Sequence, residues 1–182
     1  RGNLLKIGFE PERIFVVGTT ALDHIAIDES LCPKVSYDLV LLHPDPISAV
    51  ATQKDLIETI NIIDWQRPVI WIRPNKDRNH IIIDNYLDSQ HVATLQKYYN
   101  LPRQQYLGLL KNCTRFIGNS SSGILEFPLI NRRGVFIQVG HRNKERTKPA
   151  NYVGGSSKIA EILATIRIDD DFKRKKLVSV VS

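Results

Sequence analysis

The densest set of groups able to hold an anion lies between Arg115 and Glu126. A short apolar run, Arg115 to Ile117, leads there into Gly118, Asn119, Ser120, Ser121, Ser122 and Gly123. Glycines at both ends permit tight turning and close backbone approach, the serines present hydroxyls, and a helix starting after them would offer free amide donors. Such a loop can cradle a diphosphate. The same residues also suit an ordinary strand-to-helix turn with serine N-caps. The spacing is neither a GxxxxGKS/T phosphate loop nor a GxGxxG fingerprint, and Asn119 stands where a GxSxG nucleophile elbow would need its first glycine. The histidines, His24, His43, His80, His91 and His141, are scattered singly without HExxH or other ligand spacing, so no bound metal is expected.

These groups need a scaffold, and the pattern around them supplies one. Short apolar, β-branched runs alternate with helix-like stretches, the signature of a parallel sheet wrapped by helices. Strands are expected at Arg13 to Val17, Asp38 to Leu42, Val69 to Arg73, His91 to Leu95, Arg115 to Ile117 and Val135 to Val139. A helix over Ile47 to Ile63 would bury Val50, Leu56, Ile57, Ile60 and Ile63, and shorter helices are expected at Ile81 to Leu87, Arg103 to Asn112, Ser122 to Ile130 and Ser157 to Ile166. The opening segment reads as a helix closing at Gly8, a strand, then a short helix through Ala21 and His24; the periodicity lapses around Pro33. In open α/β sheets ligands bind beyond the carboxyl ends of the strands. That rule singles out His43, Arg73 to Asp77, Gly118 to Gly123 and Gly140 to Arg142.

Composition narrows the function classes. With 182 residues, 42% hydrophobic and 24% charged, the chain is of the globular type, and no apolar run approaches bilayer-spanning length. Cys32 and Cys113 sit in no CxxC pair, which suits a reducing cytoplasm. The net charge of +6 suits an anionic ligand, although the run Lys173 to Lys176 supplies four of those charges as a solvated helix end or tail. No interleaved aromatic and basic stripe points to nucleic acid, and none is expected as a partner. Arg1 in place of a starting Met, and the lack of any Met, are expected of a fragment or a processed chain.

GNSSSGI at 118 to 124, followed by Glu126 and Pro128, resembles the signature of UDP-N-acetylglucosamine 2-epimerases. The similarity continues in order along the chain: GFEPERIFVVGTTALD at 8 to 23, LLHP at 41 to 44, RPNKD at 73 to 77, YLGLL at 106 to 110 and GHRNKER at 140 to 146. Asn143 and Glu145 depart from the Gln and Gly usual in the last of these motifs. The resemblance implies a doubly wound, Rossmann-like parallel sheet forming one half of a two-domain GT-B fold. It implies an inter-domain segment at 1–36, a UDP-binding domain at 37–166 and a basic helix or tail at 167–182.

The same resemblance implies roles. Asn119, Ser120 and Ser121 would hold the diphosphate, Glu126 the ribose hydroxyls, Arg142 the phosphates, and Tyr106 would pack on or near the uracil. A carboxylate suits two vicinal hydroxyls because it only accepts. Tyr106 is equally suited to a core position on the Tyr106, Leu109, Leu110 face of a helix. His43 would donate to the departing diphosphate or move a proton. The implied reaction eliminates UDP and inverts C2 of the sugar to give N-acetylmannosamine or a related sugar, without a cofactor. His43 followed by Pro44 resembles the hydrolysing branch. The expected partners are a UDP-sugar, an N-terminal GT-B domain not contained in these residues, and a further copy in a homo-oligomer. Two rivals stay open, the nucleotide-sugar half of a GT-B glycosyltransferase and a basic nucleic-acid-binding module.

Overall fold

Three largely apolar stretches form the centre of a five-stranded parallel sheet in the computed structural model, which describes residues 2–144 and 155–165. The strands are β1 (Asp38–Leu41), β2 (Val69–Ile72), β3 (Leu95–Tyr98), β4 (Arg115–Gly118) and β5 (Val135–Gln138), in the spatial order β3-β2-β1-β4-β5. Asp38 pairs in register with Val69 on one side and Arg115 on the other. β1 and β2 are buried along their whole length, as expected of strands covered on both faces.

Helices α2 (Ala49–Ile62), α3 (His80–Ser89), α4 (Arg103–Asn112), α5 (Ser122–Leu125) and α6 (Phe127–Ile130) complete this unit, which spans residues 24–144. One core layer joins Val40, Leu42, Val69, Trp71 and Ile117 of the sheet to Leu56, Ile83 and Leu87 of α2 and α3. Phe116, Phe127 and Phe136 cluster with centroids 5.3 to 6.4 Å apart. The parallel strands and flanking helices make the helix-wrapped sheet expected from the alternating pattern, in the Rossmann-like arrangement that the resemblance implies.

Three expectations shift. β3 begins at Leu95 rather than ending there, because residues 91–94 turn, with the Leu95 amide bonded to Val92 O at 3.0 Å. The buried stripe of α2 is Thr52, Leu56 and Thr59, followed by Ile63, while Val50 and Ile57 face solvent. Thr52 and Thr59 tolerate burial because their hydroxyls donate to Ser48 O and Asp55 O. The helix expected over Ser122 to Ile130 breaks into α5 and α6 at Glu126, since Pro128 lacks the N–H that would continue the ladder.

Residues 2–23 and 155–165 form a second compact unit. Its α1 (Gly2–Lys6) closes as expected at Gly8, whose φ of +92° allows the Gly8 and Phe9 amides to reach Leu5 O and Leu4 O. The strand expected at Arg13 to Val17 does not form. Pro11–Arg13 is a single 3-10 turn, and Phe15 and Val16 are exposed; an apolar β-branched run becomes a strand only with a neighbour to pair against. Ala21 to His24 form a turn rather than a helix. α7 (Gly155–Thr165) starts against this turn, the Ser156 amide donating to Asp23 Oδ2 at 2.8 Å. Ile166, Glu145, Arg146 and the basic run at 173–176 lie outside the described residues.

Candidate functional site

The strand order reverses direction between β1 and β4, the switch point at which open α/β sheets open a crevice. Gly118 ends β4 there with φ +142°, and a Cβ on it would stand 2.1 Å from Leu41 O. Only glycine lets the two strands leave the sheet side by side. The chain then crosses from one strand end to the other through a single side chain. Asn119 Oδ1 accepts from the His43 amide at 2.7 Å, and its Nδ2 donates to His43 O at 2.9 Å. Asn143 supports this bridge from the β5 side, its Nδ2 donating to Asn119 O and Ser120 O at 3.0 and 3.3 Å.

Two recesses flank the loop. The larger, about 540 Å3, is lined by Pro44 to Pro46, Ala51, Asp55, Asp77, Arg78, Asn119, His141 and Arg142. Arg142 reaches across to Pro44 O at 3.3 Å. His43 stands behind with its Nδ1 buried and lacking a hydrogen-bond partner. Burial, reinforced by the Arg142 charge, pulls the His43 imidazole down to about 4, so the ring is neutral near pH 7 and can donate from one nitrogen and accept at the other. Burial and the Glu58 charge push the Asp55 carboxyl up.

The smaller recess, about 280 Å3, is lined by Leu41, Arg103, Tyr106, Ser120 to Ser122, Leu125 and Glu126. Glu126, placed at the α5–α6 break, pairs with Arg103 of α4. Tyr106, one turn along α4, directs its hydroxyl to Ser122 Oγ. The free amide donors expected at the helix start are largely consumed. Ser122 N–H bonds Ser120 Oγ, and the amides of Gly123 and Ile124 bond the carbonyls of Ser120 and Ser121. The serine hydroxyls line the recess together with the Arg103 guanidinium, which is paired with Glu126.

Ser120, Ser121, Glu126 and Tyr106 thus meet in the smaller recess, and Asn119 and Arg142 line the larger, with His43 at its back. Sequence gives no site role to Arg103, and it marks Ser122 only as one of the loop serines and Asn143 only as a departure from the motif. Arg103 is read there only as the start of a helix, and its partner Glu126 lies 23 positions on. Asn143 counts in sequence as a departure, yet its buried amide holds the loop. Among the described residues no cluster of three or more His, Cys, Asp or Glu is placed to hold a metal ion, and no helix is long and apolar enough to cross a membrane.

Known proteins are similar to this chain in sequence over most of its length. The profile of the family described as UDP-N-acetylglucosamine 2-epimerase covers residues 1–180. The GDP/UDP-N,N'-diacetylbacillosamine 2-epimerase (hydrolyzing) of Campylobacter jejuni is 30% identical over 82% of the chain and 43% of its own length. The UDP-N,N'-diacetylbacillosamine 2-epimerase (hydrolyzing) of Legionella pneumophila is 26% identical over 90% of the chain and 46% of its own length. The polysialic acid biosynthesis protein P7 of Escherichia coli is 24% identical over 98% of the chain and 48% of its own length. The chain therefore spans just under half the length of these curated relatives. With the family profile covering 180 of the 182 residues, the chain belongs to the UDP-N-acetylglucosamine 2-epimerase family.

Proposed function

We propose that this chain is the UDP-sugar-binding half of a hydrolysing UDP-N-acetylglucosamine 2-epimerase. The observation that carries the reading is the convergence of Ser120, Ser121, Tyr106 and Glu126 on one recess at the sheet's switch point, with Arg142 beside it. Ser120 and Ser121 donate to the diphosphate and Glu126 accepts from the ribose hydroxyls. Asn119 holds the loop against the His43 backbone, and its side-chain amide also hydrogen-bonds Asp55. Arg142 supplies a charge-assisted bond to the phosphates.

In the reaction, loss of the C2 proton and cleavage of the C1–O bond release UDP with the bonding electrons and leave a glycal. Water then adds across the double bond, its hydroxyl to C1 and a proton to C2 on the opposite face, giving N-acetylmannosamine or a related N-acetylated sugar. This chain's share is stabilisation of the charge that builds on departing UDP by fixed donors, a contribution of about 3 kcal/mol per donor. The neutral His43 imidazole adds a hydrogen-bond donor toward the leaving phosphate. The printed names of the relatives, two of them hydrolysing 2-epimerases, support the hydrolysing assignment.

Isothermal calorimetry of UDP against the 182-residue chain tests the reading. We expect binding in the range of tens of micromolar to millimolar, about 4 to 6 kcal/mol. Absence of UDP binding at millimolar ligand overturns it.

A further inference from the structure

Tyr106, Ser122 and Ser120 form a continuous chain of hydroxyls from α4 to the edge of the smaller recess. Tyr106 Oη contacts Ser122 Oγ, which lies 2.8 Å from Ser120 Oγ. Ser120 Oγ also accepts from the Ser122 amide at 3.3 Å. Both serines are buried, 5% and 9% exposed, so these protons have few other places to go.

A hydroxyl carries one proton and two acceptor positions, and the chain can therefore point in either of two directions. Pointing inward, Ser120 donates to Ser122 and Ser122 to Tyr106. Ser120 then offers the recess only a lone pair, which repels an anion. Pointing outward, Tyr106 donates to Ser122 and Ser122 to Ser120. Ser120 now accepts twice, from the Ser122 hydroxyl and the Ser122 amide, and its single proton has no use except toward the recess. A phenol is a stronger donor than an aliphatic hydroxyl, so Tyr106 favours the outward direction. Burial pushes the Tyr106 phenol up, which keeps that proton in place at neutral pH.

We infer that Tyr106 is a positioning residue for the phosphate subsite, acting through Ser122 to turn the Ser120 hydroxyl into a dedicated donor to a phosphate oxygen. The inference rests on the reading of this recess as a nucleoside diphosphate site and deepens it. With the Ser122, Gly123 and Ile124 amides consumed by the turn, the direction of the hydroxyls decides whether Ser120 presents an anion with a proton or with a lone pair. The role expected of Tyr106 by resemblance, packing on or near the uracil, would make it matter for the base instead.

The two roles separate in the ligand. UDP and uridine are titrated by calorimetry or ligand-observed NMR against the 182-residue chain and its Tyr106→Phe, Ser122→Ala and doubly substituted variants. Each single variant should bind UDP about fivefold to tenfold more weakly while uridine changes by less than about twofold, and uridine binding itself reports an intact fold. The double variant should lose little more than the weaker single one, because both substitutions break one cooperative chain. The inference is overturned if Tyr106→Phe leaves UDP affinity unchanged, if UDP and uridine weaken in step, or if the two single losses multiply. Those outcomes leave the diphosphate site standing. If the unsubstituted chain binds neither ligand, the site reading fails and takes the inference with it.

Discussion

Asn119, Tyr106 and Glu126 are each tied to a partner from another part of the chain, so substitution there separates ligand contact from support. Glu126 spends one carboxylate oxygen on Arg103 and keeps the other for the recess. Glu126→Gln should weaken UDP and uridine alike by about 1 to 3 kcal/mol and erode discrimination against 2′-deoxyuridine ligands, measured by competitive titration. Arg142→Ala should weaken UDP by a similar amount, and by a margin that shrinks as salt is raised from about 0.05 to 0.5 M. A salt-independent loss would remove Arg142 from the phosphates. His43 links the site to pH. Its imidazole ionises at about 4 in the fold against 6.5 ordinarily, so below 6.5 the unfolded chain takes up a proton that the folded one refuses. Its contribution to stability is complete above 6.5 and is lost as pH falls toward 4. Urea denaturation at a series of pH values should show that decline, and His43→Gln should flatten it.

At the scale of elements, the crevice exists because two strand ends leave the sheet in contact and then separate. Gly118 is the residue that permits this. Gly118→Ala places a methyl 2.1 Å from Leu41 O at a φ of +142°, and we expect a loss of about 3 kcal/mol or more in unfolding free energy, with UDP binding lost as β1 and β4 move apart. At the opposite end of the same two strands, Arg115 pairs with the fully buried Asp38 and donates to Ile62 O at 3.2 Å. Arg115→Leu leaves a buried carboxylate without its cation, at a cost of about 3 to 5 kcal/mol. Because that pair lies a strand's length from the recesses, a variant still folded at low temperature should bind UDP with unchanged affinity. Loss of binding in a folded Arg115 variant would mean that the strands transmit strain to the site.

On the proposed reading the 182 residues supply the UDP-binding half of the site, and elimination requires more. Removing the C2 proton needs a base set against the sugar and a site closed to bulk water. By resemblance those groups belong mostly to the facing domain of a GT-B enzyme, and the chain spans just under half the length of its curated relatives. We therefore expect the 182 residues to bind UDP but to release none from UDP-N-acetylglucosamine above background. Turnover by this chain alone would place the catalytic groups within it. A transferase reading predicts instead that, with the facing half supplied, UDP release depends on an added acceptor. Free N-acetylmannosamine without acceptor would exclude that reading.

What the sequence determined by itself was whatever depends on one side chain's own free energy of transfer or on its backbone freedom. Leu39 to Leu41, Val69 to Ile72 and Phe116 to Ile117 are apolar without alternation, which suits only strands covered on both faces, and the glycine-flanked serines after β4 announce a loop built to approach something closely. Tertiary structure decided everything that depends on who supplies the partner. Edge strand β3 pairs over Leu95–Tyr98, although Gln96 and Lys97 are exposed, because Val69 to Ile72 offer their free side there. Thr52 and Thr59 displace Val50 and Ile57 from the core, since a satisfied hydroxyl costs little to bury. The pairing of Glu126 with Arg103, of Asn143 with the loop carbonyls and of Tyr106 with Ser122 joins residues 16 to 24 positions apart. Those bonds form only after α4, β4 and β5 have packed, because hydrogen bonding is directional and pairwise while the hydropathy pattern records each residue alone.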